Sequence, residues 1–179
     1  MDCAGAAALG LAIRLLAVAD ETGTASVVPT AVPLDSPLGA TLGVRNRIEV
    51  RAEPVGDVGF DGPGAGGAAT SSAVLGDLIG VARGLGSTWA GHPPAQAADA
   101  AAPSPAAGGL EDDGPARAWF ALLAGARAGN GLGDAIQAHA EVPAGLAVRT
   151  AHMTAREAAT VLLSTAPDTP DATLYPIDD

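Results

Sequence analysis

The chain has 179 residues, 48 % hydrophobic but only 3 % aromatic, with a formal net charge of −11. That length predicts one domain, or one domain with a small module, and a core built from Ala, Val, Leu and Ile. All nine basic residues are arginine: the acidic balance excludes a nucleic-acid footprint and opposes an anionic membrane surface, and without lysine the polypeptide can supply no Schiff base, P-loop lysine or lysine acid/base.

Cys3 is the only cysteine, so no internal disulfide can form and nothing in the cysteine usage suggests export. The apolar run Ala4 to Ala19 lacks a basic leader, is interrupted by Arg14, and is too short to span a bilayer. The expectation is a cytoplasmic protein.

Asp2 to Ala8 is Ala-rich and reads as the last turns of a helix stopped by Gly10. Leu11 to Ala19 alternates well enough for a strand, although its pattern also fits a helix. Ala25 to Val32 is β-branched and broken by Pro29, as in an edge strand or bulge. Asp35 to Gly39 is a turn. Arg47 to Ala52 alternates cleanly, and Val55 to Phe60 pairs with it across Glu53-Pro54 as a hairpin. A helix is predicted over Ser71 to Leu85, with Val74, Leu75, Leu78, Ile79 and Ala82 on one face.

Composition then changes. His92 to Pro105 is Pro/Ala-rich and of low complexity, followed by Gly-Gly and by the charge run Glu111-Asp112-Asp113. Residues 87–114 therefore read as a flexible linker. A smaller module over 115–179 is predicted as a strand at Trp119 to Leu123, a helix at Gly131 to Ala140, and a strand at Leu146 to Thr150. A helix from Ala155 to Leu163 capped by Thr154 and a final strand at Leu174 to Ile177 follow.

The sharpest local signal is Gly62-Pro-Gly-Ala-Gly-Gly67, where a strand ends and a helix begins. Glycine permits backbone that other residues avoid and lets a flat ligand approach closely. Thr70, Ser71 or Ser72 is expected to cap the helix, whose free N–H groups and dipole favour an anion. Gly62-x-Gly64-x-x-Gly67 formally satisfies a dinucleotide fingerprint, but no strand ending in Asp or Glu follows about 20 residues on. No Walker A lysine is present. A tight turn with no ligand weighs equally on the local pattern.

A wider set of motifs adds to it: Val27-Val-Pro-Thr-Ala-Val-Pro33, Ser36-Pro-Leu38, Gly43-Val-Arg-Asn46, Val55-Gly56, Gly62-Pro-Gly-Ala-Gly66 and Thr70-Ser-Ser-Ala-Val-Leu-Gly-Asp77, preceded by Leu9 to Ala17. In this order they resemble the later part of homoserine dehydrogenase, over roughly residues 5–86. The resemblance implies an NAD(P)-dependent oxidoreductase interconverting aspartate semialdehyde and homoserine, in threonine and methionine biosynthesis. It also implies that the family's nucleotide-binding Rossmann domain and its acid/base lysine are absent from this polypeptide. The implied architecture is α+β: a partial mixed sheet with covering helices over 1–86, which forms the family's homodimer, then the linker, then a small α/β sandwich of degenerate ACT type. Ala128-Gly-Asn-Gly131 stands where an ACT domain has its characteristic turn. Gly66, and second Gly64, correspond to the family's backbone contact with the cofactor. Asp77 falls on a familial Asp, with a structural hydrogen-bonding role expected. Ser36 replaces a common His, and Arg47 a common Ala. The whole is read as a fragment inactive alone, the alternative being a non-catalytic dimerisation or regulatory protein derived from the family.

Other candidates are weaker. His92, His139 and His152 have no metal-ligand spacing and read as surface residues; no metal site and no catalytic residue is assigned. Cys3 lacks an evident base. Trp119 is expected in the core, and Trp89 at the start of the linker.

Overall fold

Residues Asp2–Ala8 form α1, which ends before Gly10, a residue at φ 72° that turns the chain into β1, Leu11–Ala19. β2, Ala25–Pro33, returns antiparallel, with Leu11 opposite Pro33 and Leu15 opposite Pro29. Proline is tolerated there because β2 has a continuous ladder partner on one side only, its outer edge being bridged at Ala31 alone among the described residues. β3, Arg45–Ala52, and β4, Gly56–Pro63, form the second ribbon, and α2, Gly67–Ala82, follows. The computed structural model describes residues 2–21, 23, 25–87, 90–91, 116–128, 133–167 and 172–178. Trp89, His92, Glu111-Asp112-Asp113 and most of the expected linker lie outside them, as do Gly129 to Gly131.

The C-terminal part contains β5 (Trp119–Ala124), β6 (Ile136–Val142), β7 (Gly145–Thr150), α3 (Ala155–Thr165) and β8 (Leu174–Pro176). The four strands lie in the order β6-β7-β5-β8, every neighbouring pair antiparallel. That is the order of a split β-α-β-β-α-β motif; here the connection from β5 to β6 holds no helix among the described residues.

This corrects one expectation. The segment predicted as a helix, Gly131 to Ala140, leads where it is described from a turn at 134–135 into strand β6 at Ile136. Its Ala content favours a helix, but Ile136, Ala138, Ala140 and Val142 are half-buried and alternate with exposed Gln137, His139 and Glu141. Period-2 burial against a sheet outweighs the few tenths of a kcal/mol per residue that propensity contributes. Residues 143–144 then close a tight hairpin into β7, and a Cβ on Gly145 would strike the Leu123 carbonyl.

The contacts divide the chain into two compact units, Met1–Ala40 with Pro103–Asp179, and Thr41–Ala102. This differs from the expected boundaries at 86 and 115, because α1 and β2 pack on the C-terminal sheet. α3 covers one face of that sheet, where Ala121, Leu123, Leu146, Val148 and Leu162 cluster. On the other face Ala6, Leu11 and Ala31 meet Phe120, Leu122, Ala147 and Ile177. Trp119 is core, as expected; its backbone N–H donates to Thr150 Oγ1 (3.0 Å) and its indole N–H to the Met153 carbonyl (2.9 Å). In the second unit no described residue is buried.

Candidate functional site

The glycine turn is built by the second unit's ribbon. In register, Arg45 faces Pro63, Asn46 faces Gly62 and Arg47 faces Asp61. β4 therefore carries the chain to Pro63, and the Gly64 N–H donates back to the Val44 carbonyl. Gly64 lies directly against the Asn46 side chain, so a Cβ here would overlap the amide. At Gly64 glycine is required by close approach.

Gly66 is glycine for a different reason. It sits at φ 112°, ψ 151°, a region essentially closed to residues with a Cβ, yet the space around it is open. It is the N-cap of α2, which opens at Gly67. The helix therefore begins earlier than the predicted Ser71, and neither Thr70, Ser71 nor Ser72 caps it. Thr70 is already inside, its N–H donating to the Gly66 carbonyl (3.0 Å). The Ser71 hydroxyl donates back to the Gly67 carbonyl (2.7 Å). With no side chain capping the helix, the first-turn N–H groups of Gly67, Ala68 and Ala69 have no intrahelical acceptor. Gly64 to Ala68 are all exposed.

The nearest charges on the ribbon are already paired. Arg45 Nε donates to Asp61 Oδ2 (3.1 Å), and a second guanidinium N–H reaches the same oxygen. These hydrogen bonds, with the field of Arg45, hold the Asp61 carboxyl below its usual range. Arg47 pairs with Glu49 (2.8 Å) and Arg51 with Asp57 (3.1 Å). What the turn offers a ligand is thus backbone: donors at the start of a helix, its positive dipole end, and a surface bare of side chains. Such a surface suits a flat or anionic group and supplies no acid, base or nucleophile.

Asp77 lies mid-helix and exposed, and its side chain makes no hydrogen bond among the described residues. Ser36 does have a local role: its hydroxyl donates to the Pro33 carbonyl (2.7 Å) and accepts from the Gly39 N–H (3.0 Å). It pins a turn in which a Cβ on Gly39 would strike Pro33. His139, His152 and Cys3 are exposed, and no cluster of metal-ligating groups occurs among the described residues. Asn46 is the residue that sequence reasoning reaches only as part of a spaced motif. The hairpin register, by setting it opposite Gly62, is the signal that could have found its contact with Gly64.

A family model, Homoserine dehydrogenase, matches residues 1–79. The chain is 44 % identical over 90 residues to homoserine dehydrogenase of Mycobacterium tuberculosis, a match covering 46 % of this chain and 20 % of that protein. To that of Corynebacterium glutamicum it is 41 % identical over 90 residues, again 46 % of this chain and 20 % of the relative. The matches thus span about a fifth of the curated relatives' length. In fold, 99 % of the chain aligns with 45 % of homoserine dehydrogenase from Thiobacillus denitrificans (TM-score 0.62, 23 % identity). The S. aureus homoserine dehydrogenase aligns with 99 % of this chain over 44 % of its own (TM-score 0.58, 22 % identity). The likeness in fold therefore extends beyond residue 79, into the C-terminal sheet.

Proposed function

We propose that the chain is a fragment of a homoserine dehydrogenase, an NAD(P)-dependent oxidoreductase interconverting aspartate semialdehyde and homoserine, and is inactive alone; the family model's match to residues 1–79 supports this reading. The observation that carries the reading is the collinear match through the turn at Gly64 and Gly66. In it, Gly66 and Gly64 offer backbone to the nicotinamide cofactor, which is otherwise held by a Rossmann domain supplied from outside these residues. The cofactor supplies the hydride chemistry; this chain contributes a bare, donor-lined surface that excludes bulk and orients the group against it. The chain itself supplies no lysine acid/base, since it has no lysine. The C-terminal sheet, with its ACT-like strand order, is the regulatory module of the parent enzyme, and the setting is cytoplasmic.

Purified chain incubated with homoserine and NAD(P)+ should show no nucleotide reduction at 340 nm, and calorimetry should detect no nucleotide binding. Measurable NAD(P)-dependent turnover would overturn the inactive-fragment reading.

One observation favours the second reading, a dimerisation or regulatory protein. The β3–β4 ribbon carries Ile48 opposite Phe60 and Val50 opposite Val58 on one face, and Ile48, Phe60, Leu75 and Leu78 are all more than half exposed. Apolar surface of this kind marks an association site. A homodimer through the ribbon predicts a doubled mass by light scattering, reverting to monomer in an Ile48→Lys/Phe60→Lys variant.

A further inference from the structure

The C-terminal sheet is expected from sequence to be a separate module on a linker, but its core is shared with the start of the chain. Ala6 is fully buried, and a Cβ on Gly5 would lie 3.2 Å from Leu122 Cδ1, 3.3 Å from Ala147 Cβ and 3.5 Å from Phe120 Cζ. α1 therefore rests on the sheet face opposite α3 with its backbone almost in contact. A helix of 7 residues has no stability of its own in water; burial on this face holds it. Conversely, without α1 and β1 the side chains of Phe120 and Leu122 and the Ala147 methyl would stand in solvent.

The edge strand is shared in the same way. β8 has 3 residues, each with one partner on β5. On its far side, Ala31 of β2 bridges Ile177 in parallel, and the Asp178 N–H donates to the Ala31 carbonyl (3.0 Å). The Tyr175 hydroxyl donates to Asp2 of α1 (2.6 Å), and its ring lies 5.7 Å from that of Phe120.

We propose that residues 2–40 and the C-terminal sheet are one cooperative folding unit, with α1 and β2 as the strap that completes the module. The C-terminal module is then not a freely hinged regulatory domain: whatever perturbs it is felt by β2, which lies in the segment that matches the family. The proposal rests on the family reading only for the identity of that segment. Its test reads folding, whereas the family reading is tested by turnover and nucleotide binding, so the two can fail separately.

The test uses the full chain carrying Trp89→Phe, which leaves Trp119 as the only indole. Trp119 clusters with Met153, Ala155 and Ala158 of the α3 side, away from α1. Gly5→Leu overpacks the α1 contact and should lower the Trp119 thermal midpoint by roughly 5–10 °C, or abolish its native emission outright. Tyr175→Phe and Asp2→Asn should each lower it by about 2–5 °C, and the double variant by no more than the larger single effect. A Trp119 midpoint unmoved by Gly5→Leu, or unmoved by both milder variants, would show an autonomous module and overturn the proposal.

Discussion

The Tyr175 hydroxyl donates to Asp2 across 173 positions of sequence, at 2.6 Å. Burial of the phenol raises its pKa to about 12, reinforced by the hydrogen bond to Asp2 and by that residue's negative charge. A folded-state pKa above the unfolded value favours the protonated phenol, so the stabilisation is complete below pH 10 and is lost between 10 and 12. Tyr175 is the only tyrosine, so tyrosinate absorbance at 295 nm reports it directly. The native titration should be centred near 12 and the urea-unfolded one near 10. Asp2→Asn should bring the native midpoint downward; a midpoint that ignores this change would detach Asp2 from the shift.

Gly66 and Gly67 should respond oppositely to alanine. Gly66→Ala forces a Cβ into a backbone region that costs about 1–3 kcal/mol, although nothing lies within 4 Å to clash with it. Gly67→Ala enters the first turn of α2, also into open space, and should be neutral or stabilising by up to about 1 kcal/mol. The loss of helical ellipticity on heating, compared across the pair, checks this. Equal effects would mean that backbone conformation at Gly66 is not the constraint.

Gly64 should fail for a steric reason, which makes it rescuable. Gly64→Ala puts a methyl group into the Asn46 amide and should destabilise the ribbon by roughly 1–3 kcal/mol. Asn46→Gly in the same chain should recover most of the loss, a coupling that a double-mutant cycle by urea denaturation measures. Additive losses would place the constraint elsewhere.

The start of α3 is held by a reciprocal cap. The Glu157 N–H donates to Thr154 Oγ1 (3.3 Å), and the Glu157 carboxylate accepts from the Thr154 N–H (2.8 Å) and hydroxyl (3.0 Å). Thr154→Ala should cost about 1 kcal/mol. The backbone hydrogen bond, then that from the hydroxyl, holds the Glu157 carboxyl below its ordinary value of 4.5. The cap's contribution is therefore present above that pH and lost as pH falls through the lowered folded-state value. Amide protection factors in the first turn of α3, taken relative to the intrinsic exchange rate at each pH, should fall in acid in the wild type. In Glu157→Gln they should be lower at neutral pH and far less pH-dependent.

Much of this is legible in the sequence. Gly10 after an Ala-rich helix, the alternation of Arg47 to Ala52, and Thr154 ahead of the helix at Ala155 are local signals with local causes, and the structure has the predicted element at each. β6 was misread because alanine content speaks for a helix while burial period speaks for a strand, and only a sheet edge decides between them. The cap of α2 was misread because hydroxyl residues dominate N-caps statistically, whereas Gly66 takes the position through a backbone that only glycine adopts. The packing of α1 on Leu122 and Ala147 left no trace in sequence beyond Gly5 and Ala6, because small residues signal close approach without naming the partner.

α2 has a consequence of its own. It contains Gly76 and Gly80 in its interior, buries no residue, and exposes Val74, Leu75, Leu78 and Ile79 along one stripe. Each interior glycine costs about 1 kcal/mol against alanine, and a helix of this length is marginal in water without a surface to lie on. Its helical content is therefore a property of solution composition as well as of sequence. The expected outcome is that the helix melts in part in dilute chain and re-forms as protein concentration or a complementary apolar surface is supplied, with far-ultraviolet ellipticity the measurement that follows it.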